Sequence, residues 1–230
     1  MGKNRISWWS PFPALVLCAL IGTLAANAVP AFAQARQPVT SVRDALEVLA
    51  GGDAAERAAA VRWLGENGRD ADAASLAPSL NDPHPEVRAR AEQAMWQMWS
   101  RSGDPVVDRL LASGVELMHS GQLPQAIAIF DEVVRRLPAF AEGWNKRATA
   151  RYLAGDYRRS LADCDQVLRR NPLHFGALSG SGLIHLQLAD YERALDDFRR
   201  ALAVNPNMEG VRENVRALER LMDARRRRST

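Results

Sequence analysis

The sequence AEGWNKRATARYLAGDYRRSLADCDQVLRRNPLH occupies residues 141–174 and is one copy of a repeated pattern. A matching copy begins 34 residues earlier at Val107, and another begins 34 residues later at Phe175. A fixed period of this length is typical of repeat proteins, in which each repeat is one supersecondary unit. The pattern therefore predicts a region at 104–208 with three repeats, over 107–140, 141–174 and 175–208.

Each copy carries the signals for two helices joined by a short turn. In the middle copy, Gly155 ends the first predicted helix, Asp156 caps the second, and Pro172 stops it. Small residues at the eighth and twentieth positions would let the two helices approach closely. These residues are Gly114, Ala148 and Gly182, then Ala126, Ser160 and Ala194. We therefore expect one helical hairpin per copy, which buries its apolar face by stacking on its neighbour.

The pattern resembles the tetratricopeptide repeat family over residues 107–208. The matching positions in the middle copy are Trp144, Ala148, Tyr152, Gly155, Asp156, Tyr157 and Pro172. The resemblance implies a right-handed superhelix whose first helices line a concave groove. It also implies binding of peptides or protein segments, without catalysis. The composition agrees with an all-α fold, because Ala is frequent while Ile and Thr are scarce.

The resemblance places groove residues at the second, fifth, ninth and twelfth positions of each first helix, and the candidates are those at the fifth, ninth and twelfth. These are Leu111, Val115 and Met118, then Asn145, Thr149 and Tyr152, then Ser179, Leu183 and Leu186. Apolar walls beside a polar middle suit an extended peptide or a partner helix. The alternative is that some of these apolar residues merely pack against the HEAT-like unit or the last helix. Lys146 lies beside the groove and could meet a carboxylate, but Leu111 and Val115 argue against the two-carboxylate clamp of family members that bind chaperone tails.

Residues 209–225 form one more amphipathic helix, with an apolar stripe of Val211, Val215, Leu218 and Met222. We expect it to cap the array; the alternative is a free helix that binds a partner. A basic tail at 226–230 follows, at the end of the Arg225–Arg228 run. Its arginines are interpreted as favourable charge at a helix C-terminus, with weak contact to anionic lipid as the alternative.

Residues 41–103 predict a second helical unit. Asp82 and the Pro85-x-Val87-Arg88 motif resemble a HEAT repeat, a family in which the acid and the arginine help to tie adjacent repeats together. The first of its two hairpins departs from the family, because Ala59 stands where the arginine would fall. Two hairpins are too few to be stable alone, so we expect them to stack on the array and form one continuous α-solenoid.

Trp96 and Trp99 lie on one face of a predicted helix, with Met95 and Met98 beside them. Four large apolar residues within five positions are not all expected in a core. The two tryptophans therefore either seal the junction between the helical units or form an exposed partner patch.

The first 33 residues predict a secretory signal peptide. They contain no acidic residue, and Lys3 and Arg5 precede an apolar run that ends in small residues. We expect cleavage after Ala33, a linker at 34–40, and a periplasmic or secreted protein. The alternative is an uncleaved signal that anchors the protein in the membrane.

Composition and motifs disfavour catalysis, metals and nucleic acids. The net charge is only +3, and two cysteines and four histidines show no metal-ligand spacing. We expect Cys164 to be a buried, inert thiol and the acids Asp163, Asp165, Asp196 and Asp197 to be solvated on the convex side. The predicted function is a non-catalytic adaptor without cofactor that holds a segment of another protein. The alternative is a self-associating structural module, and the chain could oligomerise in either case.

Overall fold

The computed structural model describes residues 38–228, so the predicted signal peptide and its cleavage after Ala33 lie outside the described residues. The described part is all-α, which confirms the predicted solenoid of helical hairpins. The helices are α1 (Val42–Gly51), α2 (Ala54–Asn67), α3 (Ala73–Leu76), α4 (Pro85–Trp99), α5 (Pro105–His119), α6 (Leu123–Arg136), α7 (Ala141–Leu153), α8 (Tyr157–Arg170), α9 (Phe175–Gln187), α10 (Tyr191–Val204) and α11 (Glu209–Arg228). No helix within 38–228 is long and apolar enough to cross a membrane.

Each of the three repeats folds as a pair of antiparallel helices: α5 with α6, α7 with α8, and α9 with α10. The turns use the left-handed backbone region that the glycines predicted, with φ of +76° at Gly121 and +79° at Gly155. In the third repeat Ala189 takes the same conformation at φ +58°, which is strained for a residue with a Cβ. Asp156 and Asp190 accept hydrogen bonds from the first turns of α8 and α10, as N-caps should.

The small residues at the eighth position allow close helix packing. A Cβ on Gly114 would lie 2.4 Å from the Phe130 ring, and a Cβ on Gly182 would lie 2.6 Å from the Phe198 ring. Both phenylalanines are fully buried. The middle repeat has Ala148 and Cys164 at the equivalent positions, so it pairs a larger eighth residue with a smaller partner.

The helix α11 packs against α10 at the end of the array, with Val211 and Leu218 buried. Arg199 on α10 donates to Glu219 at 2.6 Å on the exposed side. The helix continues through Arg228, so Arg225–Arg228 are helical, whereas the sequence suggested that helix ends at 225.

The N-terminal helical unit, residues 41–103, begins with two capped helices. The Ser41 hydroxyl accepts from Asp44 N, and Asp53 and Glu56 form a capping box. The third helix of this unit is short. It is the single turn α3 followed by a 3-10 segment over Ala77–Asn81, because Pro78 has no N–H to continue an α-helix.

The acid and the arginine of the HEAT-like motif bind different partners. Asp82 accepts two hydrogen bonds from Arg57 of α2, at 2.6 and 2.9 Å. Arg88 donates to the main-chain oxygen of Asp82 and to Oδ1 of Asn207, which follows α10 at the end of the third repeat. The N-terminal helical unit is therefore tied to the far end of the array, while its likeness to HEAT repeats stays a prediction.

The junction between the N-terminal helical unit and the array is aromatic. Trp99 is only 2% exposed and stacks on His174, with ring centroids 4.5 Å apart, and Trp96 meets Phe175 edge-on at 5.2 Å. Met95 and Met98 are fully buried inside the unit. Trp96 is only partly buried, so the expectation that these four residues would not all lie in a core is confirmed. Opposite faces of α4 are covered by different parts of the molecule, so the exposed-patch alternative does not hold for Trp99.

Candidate peptide-binding groove

A cavity of about 310 Å³ opens between the first helices of the second and third repeats. Five of the nine predicted groove residues line it: Asn145, Thr149, Tyr152, Ser179 and Leu183. The remaining lining residues are Ala148, Leu153, Ser160, Cys164, Gly176, Gly180 and Ile184. Its volume is at the lower end of the range for ligand pockets, so it has room for about one large side chain of a bound segment.

The other four predicted groove residues do not line the cavity. Leu111 is 6% exposed and belongs to the core of the first repeat, against which Val115 and Met118 also pack. Leu186 packs against the core of the third repeat and α11. The packing alternative therefore holds for Leu186, which packs against a core that includes residues of the last helix, whereas Leu111, Val115 and Met118 pack in the core of the first repeat.

The cavity exists because the middle repeat lacks a phenylalanine. Phe130 and Phe198 fill the space beneath their first helices, whereas Cys164 stands at the same position of the second repeat. The cavity floor is formed by Ala148, Ser160 and Cys164, and Leu153, which is 54% exposed, is among the residues around it. A change of one core residue thus leaves an apolar recess on the concave face.

The thiol of Cys164 is suited to packing and not to reaction. Burial raises the pKa of this thiol to about 12, and the nearby Asp163, Asp165 and Asp197 add to the effect. The thiol is therefore protonated at neutral pH, and the thiolate needed for nucleophilic chemistry is scarce. The prediction that Cys164 is buried is confirmed.

A buried polar network lies beside the cavity, and no sequence motif predicted it. Glu142 is fully buried, and its Oε2 accepts from Asn145 Nδ2 at 2.9 Å and from His174 Nε2 at 3.0 Å. His174 Nδ1 accepts from Ala177 N at 3.0 Å, so Nε2 carries the proton in this arrangement. Lys146 Nζ lies 2.8 Å from Glu142 Oε1. The carboxylate expected to meet Lys146 is therefore one from its own helix.

Electrostatics keep Glu142 ionised despite its burial. Desolvation opposes the charged form, but hydrogen bonds from His174 and Lys146 and the charge of Lys146 outweigh it, and the pKa of Glu142 is lowered. The available sequence signal was an acid at the second position of one copy and a histidine 32 residues later. The spacing of these two residues in the sequence did not predict that they are in contact.

The carboxylates expected on the convex side are partly internal. Asp163 is buried and binds Arg147 at 2.8 Å and Arg151 at 2.7 Å, while Asp197 accepts from Ser181 at 2.5 Å. The prediction that these two acids are solvated is wrong. Each lies on the second helix of its repeat and faces the seventh and eleventh positions of the first helix of the same repeat. Asp131 of the first repeat also binds Arg147, which links two repeats.

Ser181, His185 and Asp197 bring a hydroxyl, an imidazole and a carboxylate together without activating the serine. His185 Nδ1 lies 2.9 Å from Asp197 Oδ2, the same oxygen that accepts from the Ser181 hydroxyl. The serine thus donates to the acid, whereas a nucleophilic serine would donate to the histidine. Residues 38–228 also contain no group of three or more potential metal ligands.

Comparison with known families identifies the repeated region. Residues 111–157 and 145–209 match the family model of the tetratricopeptide repeat. A TPR repeat-containing protein of Rhizobium etli is 32% identical over 65 residues. That alignment covers 28% of this chain and 32% of the relative, so the chain spans about a third of the length of the curated protein it matches.

Solved structures agree with this fold. The Sgt2 TPR domain from Aspergillus fumigatus is 21% identical, with a TM-score of 0.52 over 54% of this chain and 83% of that domain. The first TPR of Spaghetti (RPAP3), bound to the HSP90 peptide SRMEEVD, is 20% identical, with a TM-score of 0.50 over 51% of this chain and 93% of that domain. At such identities the likeness concerns the fold.

Proposed function

We propose that this chain, whose residues 111–209 carry tetratricopeptide repeats, is a non-catalytic adaptor that holds an extended segment of another protein. The observation that carries the proposal is the recess between α7 and α9, where Cys164 leaves space that phenylalanine fills in the neighbouring repeats. Other apolar positions of the concave face are used by the core, so this recess is the part of the predicted groove suited to a ligand.

The bound segment would place one large apolar side chain in the recess. Burial of such a side chain contributes about 1.5–3 kcal/mol. Asn145 would accept a hydrogen bond from the segment's backbone through Oδ1, since its Nδ2 already donates to Glu142. Thr149 is exposed and Tyr152 is half-buried at the same surface. One anchor and a few polar contacts correspond to micromolar affinity, about −8 kcal/mol.

The ligand would differ from the acidic peptide of the RPAP3 domain. In this chain Leu111 is buried in the first repeat and Val115 is half-buried beside it. Neither can bind a carboxylate. We therefore propose a segment that is recognised by an apolar residue and its backbone, without a cofactor, metal or nucleic acid.

The place of action is proposed from the N-terminal sequence alone. Lys3, Arg5, the apolar run and the small residues before Gln34 support export and cleavage after Ala33. A periplasmic or secreted protein would meet its partner outside the cytoplasm, while an uncleaved signal would hold the same adaptor at the membrane.

Site-specific photo-crosslinking tests the proposal. The chain starting at Gln34 is directed to the periplasm with a photo-crosslinking residue at Thr149, and adducts are mapped by mass spectrometry to a segment of the captured protein. The matched control carries the same crosslinker at Arg158, which is exposed on α8. A second control is the Ala148→Gly/Cys164→Phe variant, in which the recess is filled.

The adaptor function predicts one foreign segment with an apolar residue, captured at Thr149, absent at Arg158 and lost when the recess is filled. Adducts that persist in the filled variant would contradict it. Adducts to the chain itself would favour the self-associating module, although that module no longer has an exposed Trp99 to use.

A further inference from the structure

We propose that Glu142 is a positioning residue through which docking of α4 orients Asn145 in the groove. The inference rests on the proposed function, because it concerns a residue of that same groove. In this arrangement the N-terminal helical unit supports the binding site and regulates its affinity.

The connection from the groove to the junction is continuous. Asn145 lines the cavity and donates through Nδ2 to Glu142 Oε2, the oxygen that also accepts from His174 Nε2. The His174 ring then stacks on Trp99 of α4 at 4.5 Å. Every side chain in this path except Asn145 is at most 2% exposed, and Asn145 is 8% exposed.

A second contact runs through Lys146. Its Nζ binds Glu142 Oε1 at 2.8 Å and lies 5.9 Å from the centroid of the Trp96 ring. Trp96 also presses against Gly176, where a Cβ would stand 2.3 Å from the ring. Gly176 lines the cavity, so the absence of its side chain lets the tryptophan reach the edge of the groove.

Docking of α4 keeps water away from this network. When Trp96 and Trp99 withdraw, water reaches His174 and Glu142 and competes for the carboxylate, which weakens its hold on the Asn145 amide. A freely rotating Asn145 must then be ordered again on binding. We expect about tenfold weaker binding to the groove, equivalent to about 1.4 kcal/mol.

Nuclear magnetic resonance of the Asn145 side-chain amide tests this coupling without any ligand. The amide signal is assigned by comparison with Asn145→Ser. Trp99→Ala removes the stack on His174, and Trp99→Phe is the matched control. The control keeps an aromatic ring and loses no hydrogen bond, because Trp99 Nε1 is buried without a partner.

The inference predicts that Trp99→Ala moves the Asn145 amide shift towards that of a free amide and speeds its hydrogen exchange about tenfold, while Trp99→Phe preserves both. An unchanged amide signal, in a variant whose α4 backbone exchanges faster, would overturn it. If Trp99→Ala does not fold, Gly176→Ala tests the second contact, through Lys146, because the added Cβ would stand 2.3 Å from the Trp96 ring and Trp96 must move; an unchanged Asn145 amide signal would again overturn the inference.

Binding separates this inference from the proposed function. The probe is a synthetic peptide of the segment captured at Thr149. Equal affinity for wild type and Trp99→Ala would overturn the coupling and leave the adaptor function standing. A coupled Asn145 amide in a protein that captures no segment would overturn the adaptor function and leave the coupling as a structural property.

Discussion

The packing of the middle repeat can be converted into that of its neighbours by two substitutions. Cys164→Phe places a ring where Phe130 and Phe198 lie in the other repeats, and Ala148→Gly removes the Cβ beneath it. In those repeats the missing Cβ would stand 2.4 and 2.6 Å from ring carbons. The single Cys164→Phe variant therefore overpacks against Ala148, which costs about 1–3 kcal/mol.

The single Ala148→Gly variant loses about 1 kcal/mol from helix propensity alone. The double variant relieves the overpacking and buries a phenylalanine, so it should be close to the wild type. The double-mutant cycle predicts a coupling free energy of about 1–3 kcal/mol in favour of the pair.

Urea denaturation followed by far-ultraviolet circular dichroism measures the four free energies of unfolding. Additivity within about 0.5 kcal/mol would contradict direct packing between positions 148 and 164, because independent sites give no coupling. A double variant that folds well yet still captures a segment at Thr149 would show that the recess is not the anchor site.

Three further predictions concern stability. Ala189→Gly should stabilise the protein by about 0.5–1 kcal/mol because it relieves a positive φ. Gly155→Ala should destabilise the protein because of its positive φ, even though the added Cβ would meet no atom within 4 Å. Urea midpoints that move in the opposite directions would contradict this. Asp163→Asn should lower the free energy of unfolding by about 3 kcal/mol because it leaves two arginines without their buried partner. Asp131→Asn, at the exposed end of the network, should lower it by less than about 1 kcal/mol. Equal losses of unfolding free energy in calorimetry would argue against burial as the cause. Because the pKa of Glu142 is lowered on folding, this residue stabilises the protein at pH values above its pKa in the unfolded chain, near 4.5, and that stability is lost as the pH falls through the folded pKa. Glu142→Gln should therefore flatten the acid side of a plot of Tm against pH. An unchanged slope would be evidence against this prediction.

The hairpins and their turns follow from local sequence. Gly121 and Gly155 adopt the positive φ that their positions predicted, and Asp156 caps α8. Such features depend on a few neighbouring residues, because glycine has no Cβ and a carboxylate accepts from the helix N–H groups two or three positions later. The 34-residue period then requires the hairpins to stack, since none can bury its apolar face alone.

The sequence positions predicted part of the lining of the cavity. The residues that do not line it differ for one reason. The family positions gave Asn145, Thr149, Tyr152, Ser179 and Leu183, which line one cavity, while their contact with a bound segment stays a prediction. They also gave four residues that pack elsewhere. A helical position predicts which face a side chain occupies but does not reveal what other element covers that face.

The repeat period and the turn within each hairpin follow from the sequence, because they rest on contacts within one hairpin and on local conformational preference. Only the tertiary structure decided that Trp99 is buried, that Glu142 meets His174, and that Arg88 reaches Asn207 across 119 residues of chain. These contacts join elements far apart in sequence. Their partners are selected by shape and by the need to pair buried polar groups, which no periodicity records.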